Sequence, residues 1–263
     1  RVGVVSTDLG AGPYTLVTCE LVGGDAGKLQ STPRVAGCEP PNKGWIDSTG
    51  KSKREVADAF ACIATLGTAG CGFEQTLEAA YRALDPAVNP GFIRRNAGLA
   101  IVFITDEDDC SAENPKLYDP DPAMLDRFGP LTSFRCFEFG VTCDINDRSP
   151  GPREDCTPTE AADGYLYSIQ RYVDRVNQLK PGGEVVVAAI AGAVSPVAVA
   201  LRGDNPELSP SCRSAAGMAV PPIRLGAFVD VFGARGLMQS ICADDFGPAL
   251  DKVGDLVVKS MTR

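Results

Sequence analysis

The sequence predicts an α/β fold: three layers, with a mostly parallel sheet, helices on both faces and loop insertions stapled by disulfides. Three observations lead there. The continuous apolar run Leu99–Ile104 has the composition of a strand covered on both faces, and Glu184–Ile190 reads as another apolar strand. Segments with 3.6-residue apolar periodicity fall between and after them, giving the order strand, helices, strand, insertion, helix, strand, helix. The ten cysteines are an even, dispersed set with no Cys-x-x-Cys, which reads as a disulfide framework and not as zinc or thioredoxin chemistry.

The first strand-like run, Val2–Ser6, ends in Thr7-Asp8 and the loop Gly10-Ala11-Gly12-Pro13. Residues 19–52 are rich in Gly, Pro and Ser and are expected to be loops with a hairpin. From Lys53, Val56, Phe60, Ile63 and Ala64 repeat at helical spacing until Gly67 stops the helix. A second helix presents Phe73, Leu77, Ala80, Tyr81 and Leu84 on one face and ends at Asp85-Pro86. Leu99–Ile104 then runs straight into Thr105-Asp106-Glu107-Asp108-Asp109-Cys110.

Residues 110–160 are rich in proline and cysteine and lack periodicity, so they read as one stapled insertion. The next helix carries Tyr165, Ile169, Tyr172, Val173, Val176 and Leu179 on one face, followed by Lys180-Pro181-Gly182-Gly183 and the apolar strand. Residues 192–222 read as loop, and Phe228–Phe232 as a short strand or helical turn. The last helix begins near Asp244 and is expected to bury Phe246, Leu250, Val253, Val257 and Met261, with Asp244 and Asp245 at its positive end.

The counts exclude several chemistries. With no histidine, Ser-His and Cys-His nucleophile pairs, imidazole metal ligands and an imidazole pH switch are ruled out. The net charge is −9, from 25 basic and 34 acidic residues, with no basic stripe, so nucleic acid is not an expected partner. No Gly-x-Gly-x-x-Gly, P-loop or Gly-x-Ser-x-Gly occurs. The longest apolar stretch, Val185–Leu201, is broken by Gly192, Ser195 and Pro196 and does not read as a membrane span. The interior-looking start at Arg1 reads as a cut within a larger protein, with any export signal or lipid attachment upstream.

The cysteines Cys19, Cys38, Cys62, Cys71, Cys110, Cys136, Cys143, Cys156, Cys212 and Cys242 point to an oxidising, extracytoplasmic compartment: periplasm, cell surface or secreted. Short closures favour Cys19–Cys38, Cys62–Cys71 and Cys212–Cys242, with the remaining four stapling the insertion. Asp144, Asn146 and Asp147 read as a polar turn, since the glycine and distal Glu of a Ca²⁺ loop are out of register. Tyr165, Tyr167 and Tyr172 read as packing residues.

The chemistry sits at strand ends, where open α/β sheets bind ligands. Asp8 follows the first strand, and Asp106 heads the cluster Glu107, Asp108 and Asp109. Adjacent carboxylates repel unless solvated, protonated or shared by a hard cation such as Mg²⁺ or Ca²⁺. The run LAIVFITDEDD at 99–109 resembles the fourth strand of von Willebrand factor A domains, where a hydrophobic strand ends in Thr-Asp. RVGVVSTD at 1–8 resembles the second strand, and GCGFEQTLEAAYRAL at 70–84 is similar to the loop and helix of that fold. Tyr165–Gly192 and Phe246–Met261 are similar to its later helix, fifth strand and last helix, about half the chain in all.

The resemblance implies a single A-like, Rossmann-like domain over 1–263 whose first strand, with its Asp-x-Ser-x-Ser loop, is absent. It also implies a protein ligand and a divalent cation near Asp106, with Asp108, Asp8 and Glu74 as further metal candidates and Thr68 or Thr76 in place of the usual threonine, whose position falls on Cys71. The expected function is an extracytoplasmic, non-enzymatic binding or adhesion module of an exported bacterial protein. Two other classes stand beside it. One is a metal-dependent hydrolase using Asp106 with Asp108 or Asp109; the other is a structural envelope protein whose acidic loop is merely solvated.

Overall fold

The computed structural model describes residues 1–19, 21–33, 36–160 and 164–261, and the chain divides into two compact units, Arg1–Arg94 and Arg95–Arg263.

In the first unit, helices α1 (Lys53–Ala64) and α2 (Thr76–Ala83) form where the periodicity predicts them. Ser52 opens α1 with a capping box, its hydroxyl accepting from Glu55 N–H while the Glu55 carboxylate accepts from Ser52 N–H. The expected strand Val2–Ser6 does not form. Val2 makes one isolated bridge to Ile46, and Val4 O accepts from Gln30 N–H at 2.8 Å. Its two partners, Ile46 and Gln30, come from separate segments, and no ladder extends from either. Asn89 ties this unit's loops together, accepting from Leu29 N–H and donating to Gly27 O and Ala83 O. Disulfides Cys19–Cys71 and Cys38–Cys62 close the unit.

The second unit is mixed α/β around a parallel sheet. Strand β1 (Leu99–Ile104) is followed by short helices α3 (Leu125–Phe128) and α4 (Phe134–Gly140) and strands β2 (Val141–Thr142), β3 (Gly151–Arg153) and β4 (Thr157–Pro158). Helix α5 (Ile169–Leu179) leads to β5 (Val185–Ala191), the hairpin β6 (Val197–Arg202) and β7 (Asn205–Leu208), and the hairpin β8 (Cys212–Arg213) and β9 (Met218–Ala219). Helix α6 (Ile223–Asp230), strand β10 (Gly236–Ser240) and helix α7 (Gly247–Met261) complete it.

The parallel sheet has the order β1-β5-β10. All seven residues of β5 are buried, as expected for a strand covered on both faces. Helix α5 buries Tyr172, Val173 and Val176, as its periodicity predicts. A second, antiparallel sheet β3-β6-β7 packs with α4 around Phe134, Phe137, Val141, Val197, Val199 and Ile223.

Several expectations need correction here. Residues 192–222 are two hairpins and not loop, the first turning through Gly203 at φ +64°. Of the two alternatives for Phe228–Phe232 the helical one holds at Phe228, which lies within helix α6. Helix α7 buries Val253 as expected and Ala249 in addition, while Leu250 and the preceding Phe246 are 50% and 40% exposed; the Met261 side chain lies outside the described residues. Cys212–Cys242 forms as expected, and Cys110–Cys136 and Cys143–Cys156 staple the insertion. The two N-terminal pairings are instead exchanged into Cys19–Cys71 and Cys38–Cys62. Together the five disulfides indicate an oxidising, extracytoplasmic environment. Among the described residues no helix is long and apolar enough to cross a membrane.

Candidate functional site at the edge and carboxyl end of strand β1

Strand β1 delivers the acidic run to the carboxyl end of the sheet, and the run is held firmly there. Thr105 is buried, its hydroxyl accepting from Glu107 N–H at 3.2 Å in a tight turn. Val220 N–H donates to Asp106 O at 2.9 Å. Cys110 is fixed by its disulfide and by the Tyr118 hydroxyl, which donates to its carbonyl at 2.5 Å.

The three aspartates sit in three different settings. Asp108 caps helix α6. Pro222 occupies the N-cap position and offers no side-chain acceptor. Asp108 Oδ2 accepts from Arg224 N–H at 3.0 Å, and Oδ1 accepts from Leu225 N–H at 3.1 Å and from its own neighbour Asp109 N–H at 2.9 Å. Burial of this carboxyl pushes its pKa up to about 6, against the opposing pull of those N–H groups and of the Arg224 charge. Asp109 is buried against Arg224, whose Nε and Nη2 both donate to Oδ2 at 3.2 and 3.1 Å. The Ser111 hydroxyl donates to the other oxygen at 2.5 Å. Arg224 also donates to Tyr167 O at 2.8 Å. Asp106 alone of the three aspartates is exposed, on a loop pinned at both ends.

The remaining predicted ligands belong to the first unit. Asp8 is buried, with Oδ1 accepting from Gly10 N–H at 2.9 Å. Gly24 sits at φ +54° so close by that a Cβ there would lie 2.4 Å from Asp8 Oδ1. Glu74 is half-buried just before α2, and the adjoining Gln75 N–H donates to Thr7 O at 3.1 Å.

Two of the carboxylates at the β1 end are already engaged by the protein's own donors. Asp108 Oδ1 already accepts two N–H bonds, leaving neither of its lone pairs for a metal. Asp109 is neutralised by a buried guanidinium. Among the described residues no group of three His, Cys, Asp or Glu is placed to hold an ion.

The other distinctive feature is the open edge of β1. Leu99 N–H donates to Glu184 O at 2.9 Å and Thr105 N–H to Ile190 O at 3.2 Å, so the odd-numbered residues bond to β5. Ladder geometry then aims the backbone groups of Ala100, Val102 and Ile104 away from the sheet. Among the described residues no strand pairs with that side, and these three make no backbone bond across it. Their side chains share one face of β1, where Val102 is 40% and Ile104 57% exposed.

Arg224 and this edge escaped sequence reasoning. An arginine within the apolar run Pro221–Phe232 is the signal that a buried counter-charge exists. No protein family matches the chain, and no curated protein or solved structure matches it either.

Proposed function

We propose that this chain is a non-enzymatic, extracytoplasmic binding module that takes a protein partner by strand addition at the open edge of β1, beside the acidic loop. The observation that carries this reading is the unpaired row of backbone groups at Ala100, Val102 and Ile104, set among exposed apolar side chains. Bare edges of this kind template pairing with another polypeptide, whose main chain supplies affinity and whose alternate side chains supply specificity. The pinned loop that follows keeps the edge in a fixed conformation, which lowers the ordering cost of association. The resemblance of 99–109 to a von Willebrand factor A strand supports a role in adhesion.

The test places a photo-activated cross-linking residue at position 102 of the oxidised, folded protein in its own cell envelope. An adduct with a second polypeptide, lost in an Ile104→Lys background with unchanged circular dichroism, is the expected result. A folded protein that yields no adduct from position 102 would overturn the reading.

A further inference from the structure

We infer that the partner on the β1 edge is a second copy of this chain, its β1 paired antiparallel with the first across a two-fold axis. This rests on the strand-addition reading and names its partner.

The edge carries none of the features that keep sheet edges apart. Leu99–Ile104 contains no charge and no proline, and it pairs with β5 residue for residue without a bulge. The ends of the strand have opposite charge. Exposed Arg95 lies just before it, and Asp106 and Glu107 lie just after it. That polarity is self-complementary in only one direction. An in-register parallel copy sets Arg95 against Arg95 and acid against acid, whereas an antiparallel copy sets base against acid at both ends.

One register satisfies backbone and charge together. With the two-fold axis at Ile101, Ala100 faces Val102 and Ile104 faces Gly98 of the other copy. Outward-facing backbone then meets outward-facing backbone, and each pair exchanges two N–H···O bonds. The same register sets Arg95 opposite Glu107 and Asn96 opposite Asp106. Val102 and Ile104, exposed in the single chain, become cross-strand neighbours of Ala100 and Gly98, where apolar contacts stabilise an antiparallel pair. The two three-stranded sheets join into one continuous sheet of isologous symmetry.

Sedimentation equilibrium of the oxidised chain over a wide concentration range tests this. The wild-type chain is expected to pass from monomer to dimer, with amide exchange at Ala100, Val102 and Ile104 slowing as dimer forms. Val102→Lys is expected to remain monomeric. Arg95→Glu, at an exposed position that leaves folding intact, is expected to raise the dissociation constant about tenfold by setting like charges together, and Arg95→Glu with Glu107→Arg to restore it. A wild-type chain that stays monomeric throughout, a dimer whose three edge amides still exchange at the monomer rate, or failure of the charge reversal to restore association would each overturn the inference. If the chain is monomeric while the cross-linker at position 102 captures a different polypeptide, this inference falls and the binding reading stands. If it captures nothing, both fall.

Discussion

Replacing Arg224 by leucine should cost about 3–5 kcal/mol of folding free energy, the range found when one partner is removed from a buried ion pair. The magnitude follows from the geometry. Both the Arg224 and Asp109 side chains have no accessible surface. The guanidinium gives two hydrogen bonds to Asp109 Oδ2 and further ones to Tyr167 O and Gly140 O. Leucine fills most of the volume but leaves a carboxylate in a dry site without its cation, and two carbonyls without that donor. Water cannot compensate unless the site opens.

The measurement is urea unfolding with all disulfides intact, followed by far-ultraviolet circular dichroism. The control is a double-mutant cycle with Asp109→Leu. Because the pair is a single electrostatic unit, the double variant should cost at least about 2 kcal/mol less than the sum of the two single variants. Additive costs, or a single-variant cost below about 1 kcal/mol, would show that the pair is hydrated and does not fix α6 to the acidic loop.

Three other outcomes are expected. Removing the Cys110–Cys136 disulfide by double alanine substitution should lower stability by about 3.5 kcal/mol, the loop-closure value for a 26-residue separation, read from the urea midpoint. Asp108 should titrate near pH 6 by carboxyl carbon NMR and not near the ordinary 3.8. Its raised value means that the folded chain holds a proton that the unfolded chain has released, so its contribution to stability is greatest below about pH 4 and declines as pH rises towards 6. The wild-type advantage over Asp108→Asn should therefore shrink across that window, and a titration in the ordinary range would refute the burial argument. Gly192→Ala should cost about 1–3 kcal/mol, because a Cβ there would lie 2.3 Å from the Val220 carbonyl. Faster exchange of the Val220 amide, which holds the Asp106 carbonyl, should accompany it.

Strands β1 and β5 and helix α5 were legible because each carries one unambiguous pattern: a continuous apolar run or a single apolar stripe. Helix α7 was legible in extent but not in orientation. It carries apolar residues on more than one face, and packing kept Val253 but chose Ala249 over Phe246 and Leu250. Strand β10 was missed because Gly-Leu-Met-Gln-Ser has no alternation to detect. The β6–β7 hairpin did carry a signal, the alternation Val197, Val199, Leu201, masked by the prolines around it. The crossed N-terminal disulfides have a quantitative reason. Closing 52 residues between Cys19 and Cys71 costs only about 0.9 kcal/mol more than closing the loop to Cys38. Packing contacts of ordinary size override so small a difference. At the acidic run, sequence reasoning identified the repulsion correctly but left its relief open among solvent, protonation and a cation. For Asp108 and Asp109 it comes from a helix terminus and a guanidinium brought from more than a hundred residues downstream, which no local pattern can reveal.

The placement of the acidic residues also explains how a bare hydrophobic edge keeps its shape. An isolated edge strand with one paired neighbour is free to fray, and fraying would erase the register on which strand addition depends. Strand β1 is held at each end by bonds that do not involve its outer side. At its start, buried Lys180 reaches from beyond α5 to donate to the carbonyls of Arg95 and Ala97. At its finish, Asp108 and Asp109 bind α6, and Cys110 is covalently tied to α4. The outer backbone groups are therefore left open while the strand itself is immobilised. Loosening the far end through Arg224 should weaken the proposed association at the edge as well as folding, although Arg224 is wholly buried.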